Sequence, residues 1–215
     1  MSTTTVDNLD SRPMFPTFDP LAATRRPVAI GLMALATSIG ALMATASDAA
    51  ATAWTVVPGE SRIQFSGTHA GRAFKGTFEK WTAAIVFDPA NLAASKATVT
   101  VDLASAKTGD TTYDKTLPSI DWFDIAKTPS GVYTTTAFRS VGADAYEADG
   151  TLAIRGLAVP VTLAFQWKTA GDRATLTGRT KVKRLDFGIG KSSDAPGEWV
   201  ALDIPVEVAV TLTKG

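Results

Sequence analysis

Three segments of the chain alternate between apolar and polar residues without interruption. Over residues 96–103, Ala97, Val99, Val101 and Leu103 share one face, and Lys96, Thr98, Thr100 and Asp102 share the other. Over 161–168 the apolar face is Val161, Leu163, Phe165 and Trp167, and over 206–213 it is Val206, Val208, Val210 and Leu212. A period of two in β-branched and aromatic residues predicts half-buried strands. One wet face and one apolar face per strand is the habit of antiparallel sheets. Weaker strand signals occupy residues 63–68, 74–88, 132–141, 146–155 and 174–185. Turn chemistry separates them at Ala70-Gly71, Asp88-Pro89-Ala90-Asn91, Ser130-Gly131, Gly156 and Ala170-Gly171-Asp172. Pro205 opens the last segment, where a missing N–H is tolerated. About eight strands at such short spacing predict an all-β barrel or sandwich.

One stretch departs from the alternation. Between Thr108 and Pro129, the runs Thr111-Thr112-Tyr113-Asp114 and Ser119-Ile120-Asp121-Trp122-Phe123-Asp124 place capping residues around a short apolar cluster. One or two helical turns are predicted there, the second bounded by Pro118 and Pro129. On this insertion Leu117, Trp122 and Phe123 would plug one end of a barrel, either as a movable gate or as a permanent seal.

The first 53 residues follow a different logic. Arg25 and Arg26 precede an uncharged stretch, residues 28–47, rich in Ala, Leu, Met and Ile, and Ala51-Thr52-Ala53 stands directly before Trp54. A positive region, an apolar region and a small-x-small site form a secretory signal with a long leading segment. A membrane anchor is the competing assignment, since about 18 uncharged apolar residues span a bilayer. The alanines, glycines and hydroxyl residues of the stretch make it only weakly apolar, and the cleavage site favours removal. Thr24-Arg25-Arg26 faintly matches a twin-arginine signal, and Pro27 spoils the match. The expectation is export to the periplasm, with residues 1–53 removed and residues 54–215 forming one domain.

Composition narrows the chemistry. Of 215 residues, 45% are hydrophobic and 20% charged, enough for a real core, and the formal net charge is zero. No segment gathers a basic stripe, so nucleic acid is not an expected partner. With no cysteine and one histidine, His69, the residue types needed for disulfides, thiol nucleophiles and ordinary zinc or copper sites are missing. No Gly-x-Ser-x-Gly elbow accompanies His69. Asp121 and Asp124 fit helix-end or solvated charges better than an acid–base pair. Gly188-Ile189-Gly190 follows a strand with no helix after it, so it is not a dinucleotide loop. Neither a catalytic residue nor a metal ligand is assigned.

Apolar surface remains. Phe65, Phe74, Phe78, Phe87, Phe165 and Trp167 are large residues for a fold of this size. An eight-stranded barrel is either filled by such side chains or just able to hold one ligand. Periodicity leaves both outcomes open.

A series of short motifs points further. They begin with Trp54-Thr55-Val56, Ser61-Arg62-Ile63-Gln64-Phe65, His69-Ala70-Gly71 and Phe74-Lys75-Gly76-Thr77-Phe78. Phe87-Asp88-Pro89, Asn91-Leu92, Thr108-Gly109-Asp110, Asp114, Leu117-Pro118 and Asp121-Trp122-Phe123-Asp124 follow. The series ends with Gly150-Thr151-Leu152-Ala153-Ile154-Arg155-Gly156, Pro160-Val161-Thr162-Leu163 and Arg184-Leu185-Asp186-Phe187-Gly188. In this order the chain resembles the YceI-like, polyisoprenoid-binding family.

The resemblance implies an all-β fold: a single antiparallel lipocalin-like barrel of about eight strands with one or two short helical turns. It implies a tunnel for a long isoprenoid lipid, a quinone such as ubiquinone or a polyprenyl phosphate, held without a covalent cofactor in the periplasm. The ligand-contacting set is then Phe65, His69, Phe74, Phe78, Phe87, Val101, Leu117, Trp122, Phe123, Phe165, Trp167, Arg184 and Phe187. Of these, His69 and Arg184 are the polar groups available to a head group, unless Arg184 pairs with Asp186 or another surface carboxylate. Two features depart from or refine the family pattern. Glu60-Ser61 stands where the family usually has His-Ser. Gly190-Lys191 and Gly197-Glu198-Trp199 resemble a subgroup associated with di-haem b-type membrane cytochromes, which favours a quinone and makes such a cytochrome an expected partner. The sequence leaves the oligomeric state open, a homodimer being one assembly compatible with it. Two other functions compete: an accessory subunit of a membrane cytochrome that carries no lipid, and an enzyme acting on an isoprenoid through His69 with Asp114 or Asp186.

Overall fold

The computed structural model describes residues 51–215; the expected signal segment lies outside them except for its last three residues. Eleven strands form one antiparallel sheet. They are β1 (Ala53–Val56), β2 (Arg62–His69), β3 (Arg72–Phe78), β4 (Trp81–Val86), β5 (Lys96–Asp102), β6 (Ala106–Lys107), β7 (Ser130–Gly142), β8 (Ala145–Ile154), β9 (Leu157–Ala170), β10 (Arg173–Lys183) and β11 (Asp203–Lys214). One short helix, α1 (Thr111–Thr116), follows β6.

The sheet closes on itself because β1 pairs with both β4 and β11. The ring β1-β4-β5-β7-β8-β9-β10-β11 is an eight-stranded antiparallel barrel. The three remaining strands continue ring strands past a break. β2 runs in line with β1 along the same edge of β11, Val56 facing Leu212 and Arg62 facing Ala209. Pro58 interrupts that edge with a 3-10 turn, Pro58–Glu60, since proline cannot supply a ladder N–H. Ser61 restores the link: its Oγ donates to Val57 O at 2.7 Å and accepts from Thr211 N at 3.0 Å.

The stretch 74–88, expected as one strand, is a single path bent at Glu79-Lys80 into β3 and β4. Opposite that bend, the turn Leu103–Ser105 separates β5 from β6, and Ser105 Oγ accepts from Lys80 N at 3.0 Å. The sheet thus folds at two apposed breaks.

One turn assignment is corrected. Ser130-Gly131 opens β7 instead of forming a turn, because Gly131 is buried opposite Val101. A Cβ at Gly131 would lie 3.3 Å from Leu103 Cδ2, so close packing accounts for the glycine. The chain also reverses between β7 and β8, where Asp144 takes φ 54°. In the insertion, only the first expected helical turn forms. Asp110 caps α1 by accepting from Thr112 N and Tyr113 N, while residues 117–128 make successive turns without a helix.

The core has two centres, one toward each end of the barrel. Trp54, Phe87, Phe165, Trp167 and Leu212 gather where β9 turns into β10. Phe65, Leu103, Phe123, Phe187 and Ile189 gather beneath α1 and the 117–128 segment. Among the described residues no helix is long and apolar enough to cross a membrane.

Candidate functional site

A cavity of about 510 Å³ runs through the barrel between these two centres. Strand alternation builds its wall. Ala97, Val99 and Val101 of β5, Val161, Leu163, Phe165 and Trp167 of β9, and Val206, Val208 and Val210 of β11 all face it, while their odd-step neighbours face out. Tyr133 crosses the interior beside Gly150, where a Cβ would come within 2.7 Å of its ring. Its hydroxyl donates to Ala148 O at 2.8 Å. Burial, reinforced by the nearby Asp149 charge, pushes this phenol up to about 12, so it remains a neutral donor turned to the backbone.

The end near the β9–β10 turn is an aromatic floor. Phe87 packs against Trp167 with centroids 4.7 Å apart, against Phe165 at 5.6 Å and against Tyr146 at 5.3 Å. Trp54 meets Trp167 edge to face at 5.2 Å and donates its indole N–H to Phe87 O at 2.9 Å. At the α1 end, Trp199 lines the cavity and is 60% exposed, and Thr112 and Thr116 are also exposed. The cavity therefore reaches the surface at the α1 end.

Polar groups cluster at that end and are largely matched to one another. His69 Nδ1 lies 2.9 Å from Tyr113 Oη; with the phenol as donor, the imidazole carries its proton on Nε2. Arg184, expected at a head group or, alternatively, paired with Asp186 or a surface carboxylate, is 2% exposed and pairs with the buried Asp194. Its Nη2 donates to Asp194 Oδ2 at 2.8 Å and Val200 O at 3.0 Å, its Nη1 to Ile189 O at 2.9 Å, and its Nε to Ala201 O at 3.2 Å. Asp194 is buried as well. Burial pushes its carboxyl up, but N–H donors from Val200 and Trp199 and the Arg184 charge more than reverse this, leaving it below the usual aspartate value. The guanidinium thus pins the 188–202 segment onto the barrel.

Two further carboxylates hold loops together. Burial raises Asp121, but donors from Ser193 and Ser192 lower it further, for a net depression. It joins the 117–128 segment to the 190–202 segment. Asp114 accepts from Thr108 N at 2.7 Å and Thr108 Oγ1 at 2.8 Å, and these bonds hold its carboxyl low. His69 has Tyr113, not Asp114, as its partner, and Asp186 is exposed.

The residues of the expected ligand-contacting set all border this one cavity, whereas Asp114 and Asp186 do not line it. Phe87, Phe165 and Trp167 form the floor, and Val101 stands in the wall. Phe65, Phe74, Phe78, Phe123 and Phe187 surround the upper part with Leu117, and Trp122 and Arg184 flank them, the guanidinium 5.9 Å from the Trp122 ring centroid. His69 stands near the opening. The sequence reading missed Tyr113, Tyr133 and Trp199. Tyr133 follows the alternation of β7 and was accessible by counting; Tyr113 and Trp199 lie in irregular segments with no period to count.

A closed antiparallel barrel around an apolar cavity with an aromatic floor defines a lipocalin-like binding barrel. Residues 54–212 match the YceI-like domain, and the chain belongs to that family. It is 32% identical over 171 residues to Protein YceI of Escherichia coli O6:H1, covering 72% of this chain and 89% of the relative. Among solved structures, Burkholderia cenocepacia BcnA superposes with a TM-score of 0.70 at 28% identity, covering 73% of this chain and 98% of BcnA. A polyisoprenoid binding domain from Saccharophagus degradans, implicated in plant cell wall breakdown, shares the fold with a TM-score of 0.58 at 14% identity over 76% of this chain and 99% of that domain.

Proposed function

We propose that this protein is a periplasmic binding protein that carries or sequesters a long isoprenoid lipid in its barrel. The observation that carries the reading is the continuous apolar cavity, walled by alternate residues of the long strands and reaching the surface at one end. Each buried CH₂ contributes about 0.8 kcal/mol, so roughly ten supply the ~8 kcal/mol of micromolar affinity before ordering costs. Such a site needs few polar contacts. The polyisoprenoid binding of the Saccharophagus degradans domain supports the same ligand class.

A quinone fits better than a polyprenyl phosphate. Arg184 is the one fixed cation among the residues bordering the cavity, and Asp194 already neutralises it. A desolvated phosphate would lack a counter-charge there. The test is extraction of the purified protein with organic solvent followed by mass spectrometry. A prenylated lipid at near-equal molar ratio is the expected result. Recovery of no lipid, together with no uptake of added quinone or polyprenyl phosphate, overturns the reading.

A further inference from the structure

Five large apolar residues among those described are exposed: Ile120, Val141, Leu157, Trp199 and Leu202. All except Val141 lie at the α1 end of the barrel. Ile120 is 69% exposed on the 117–128 segment. Its carbonyl accepts from Arg155 Nη1 at 2.7 Å, which sets it beside the turn that leads to Leu157 at the start of β9. Trp199 and Leu202 belong to the 188–202 segment, and Trp199 also lines the cavity. Backbone bonds join the pieces into one rim: Gly190 N donates to Asp121 O at 2.6 Å and Ala70 N to Trp199 O at 2.7 Å. Val141 stands at the far end of β7, roughly 30 Å from its start at ~3.3 Å per residue. A single exposed leucine is ordinary, but apolar residues gathered around the mouth of a cavity mark a contact surface.

Charge is biased toward the same end. Arg72, Lys75, Lys107, Lys115, Lys183 and Lys191 are exposed on the elements that build it, and none forms an ion pair among the described residues. They outnumber the exposed carboxylates there that also lack an ion pair, Asp110, Asp186 and Glu198, and Asp110 is engaged in capping α1. Around the floor the charges balance. Arg173 pairs with Glu60 and Lys214 with Asp172, while Lys96 and Lys168 stand with Asp88 and Asp144. The whole chain is neutral, so the open end is basic with apolar tips.

We infer that the α1 end docks onto an anionic lipid bilayer, with Ile120, Leu157, Trp199 and Leu202 in the interfacial layer and the basic side chains over the lipid phosphates, so that the cavity opens onto the membrane. This rests on the isoprenoid-binding reading above and adds the surface at which the lipid is exchanged. A prenyl tail loses its burial free energy at every CH₂ that meets water, and a mouth set against the bilayer spares it that passage. An exposed indole at the mouth suits the membrane–water boundary. The basic groups are long side chains on separate loops, in no fixed geometry. That arrangement suits a diffuse anionic surface, whose attraction follows the summed charge, better than the fixed carboxylates of a protein partner.

The chain contains no cysteine, so a single introduced one can carry an environment-sensitive dye. Ile120→Cys and Val141→Cys, both at exposed positions, are labelled with nitrobenzoxadiazole and mixed with vesicles of phosphatidylethanolamine and phosphatidylglycerol. The dye at residue 120 is expected to brighten and shift to the blue, and the dye at residue 141 to stay unchanged. Added salt and vesicles of phosphatidylcholine alone should both weaken the response. Lys115→Gln and Lys191→Gln should each lower vesicle affinity about 5-fold, the share of one basic residue near an anionic surface. Neither residue lines the cavity, so uptake of decylubiquinone from detergent should be unchanged in both. No response at residue 120, or an equal response at both ends, overturns the docking and leaves isoprenoid binding standing. Binding only to vesicles that carry bacterial membrane proteins assigns the rim to a protein partner and overturns the docking as well. Failure of the parent protein to take up decylubiquinone overturns the isoprenoid reading, separately from the vesicle result.

Discussion

Phe65 and Gly76 face each other across β2 and β3, and the Phe65 ring occupies the space that a side chain at residue 76 would need. The next pair on the same face of the hairpin repeats the device with the order reversed: Phe74 lies over Gly67, where a Cβ would come within 2.9 Å of its ring. Each aromatic ring thus lies against its own sheet, covering a glycine, and leaves the barrel axis open. A sheet of alternating large residues would otherwise fill its interior. Gly76→Ala should force the Phe65 ring off the sheet and toward the cavity. Overpacking of this kind typically costs ~1–3 kcal/mol. A denaturation midpoint and a lipid-uptake titration on the same variant check it; both should fall.

The buried Arg184–Asp194 pair gives the fold an acid limit. Asp194 has its carboxyl depressed below the ordinary value of 3.8 in the folded state. A depressed carboxyl contributes stability that is complete above the unfolded value and disappears as pH falls through the folded one. Stability should therefore be steady near neutrality and decline below about pH 4. Asp194→Asn should be destabilised by ~3–5 kcal/mol at pH 7, because it leaves a buried guanidinium without its counter-charge. The variant should also lose stability less steeply in acid. Denaturation midpoints from pH 3 to pH 7 on both proteins measure this.

Much of the barrel was legible in the chain because its wall obeys a period of two. Val99, Val101, Leu163, Phe165, Val208 and Val210 were assigned to one face by counting, and all of them face the cavity. The breaks were not legible in the same way. A strand that bends at Glu79-Lys80 keeps an alternating pattern on either side, so 74–88 reads as one run. Gly131 reads as a turn residue because the packing of Leu103 that requires its small size comes from the turn after β5, far away in sequence. Arg184 shows the same gap. Its burial depends on backbone carbonyls at 189, 200 and 201, and no spacing rule identifies carbonyls that converge through an irregular loop.

Val101 tests the cavity directly. It faces the interior from β5, opposite Gly131 of β7. Val101→Phe adds volume without charge, so it should reduce bound lipid at modest cost in stability, ~1–3 kcal/mol for an overpacked site. Val101→Asp should abolish uptake and destabilise the fold strongly, since an unpaired buried charge is costly. The measurement is lipid stoichiometry after solvent extraction, with circular dichroism to establish folding. Undiminished lipid in a folded Val101→Phe protein would remove Val101 from the binding wall.

Export makes its own prediction. The small-x-small site Ala51-Thr52-Ala53 stands directly before Trp54, and Trp54 is the first buried aromatic residue of the barrel, locked by its N–H to Phe87 O. Cleavage there removes Ala53, the first residue of β1, and the Thr52 carbonyl that accepts from Phe87 N, and keeps the pairing of Trp54 with Ile85 and Lys214. N-terminal sequencing of periplasmic material should find a start at or within a few residues of Trp54. Recovery of intact residues 28–47 in the membrane fraction would replace the cleaved signal with an anchor.

The 117–128 segment sits over the cavity, and its two aromatic residues differ in burial. Phe123 belongs to the buried core and packs on Phe78 with centroids 6.2 Å apart. Trp122 is only half-buried, lies beside the Arg184 guanidinium and lines the cavity. The segment is tied down by bonds that can break singly: Arg155 donates to the carbonyls of Ile120 and Trp122, and Asp121 accepts from Ser192 and Ser193. If Trp122 gates the cavity, Trp122→Ala should speed lipid exchange while costing well under the ~3–5 kcal/mol typical of a buried Trp→Ala change. Phe123→Ala should cost stability on that larger scale, with little effect on exchange in the protein that remains folded. A lipid off-rate and a denaturation midpoint on each variant decide between the roles. Large destabilisation of Trp122→Ala with an unchanged off-rate would assign both residues to a fixed seal, and lipid would then have to enter past Tyr113 and Trp199.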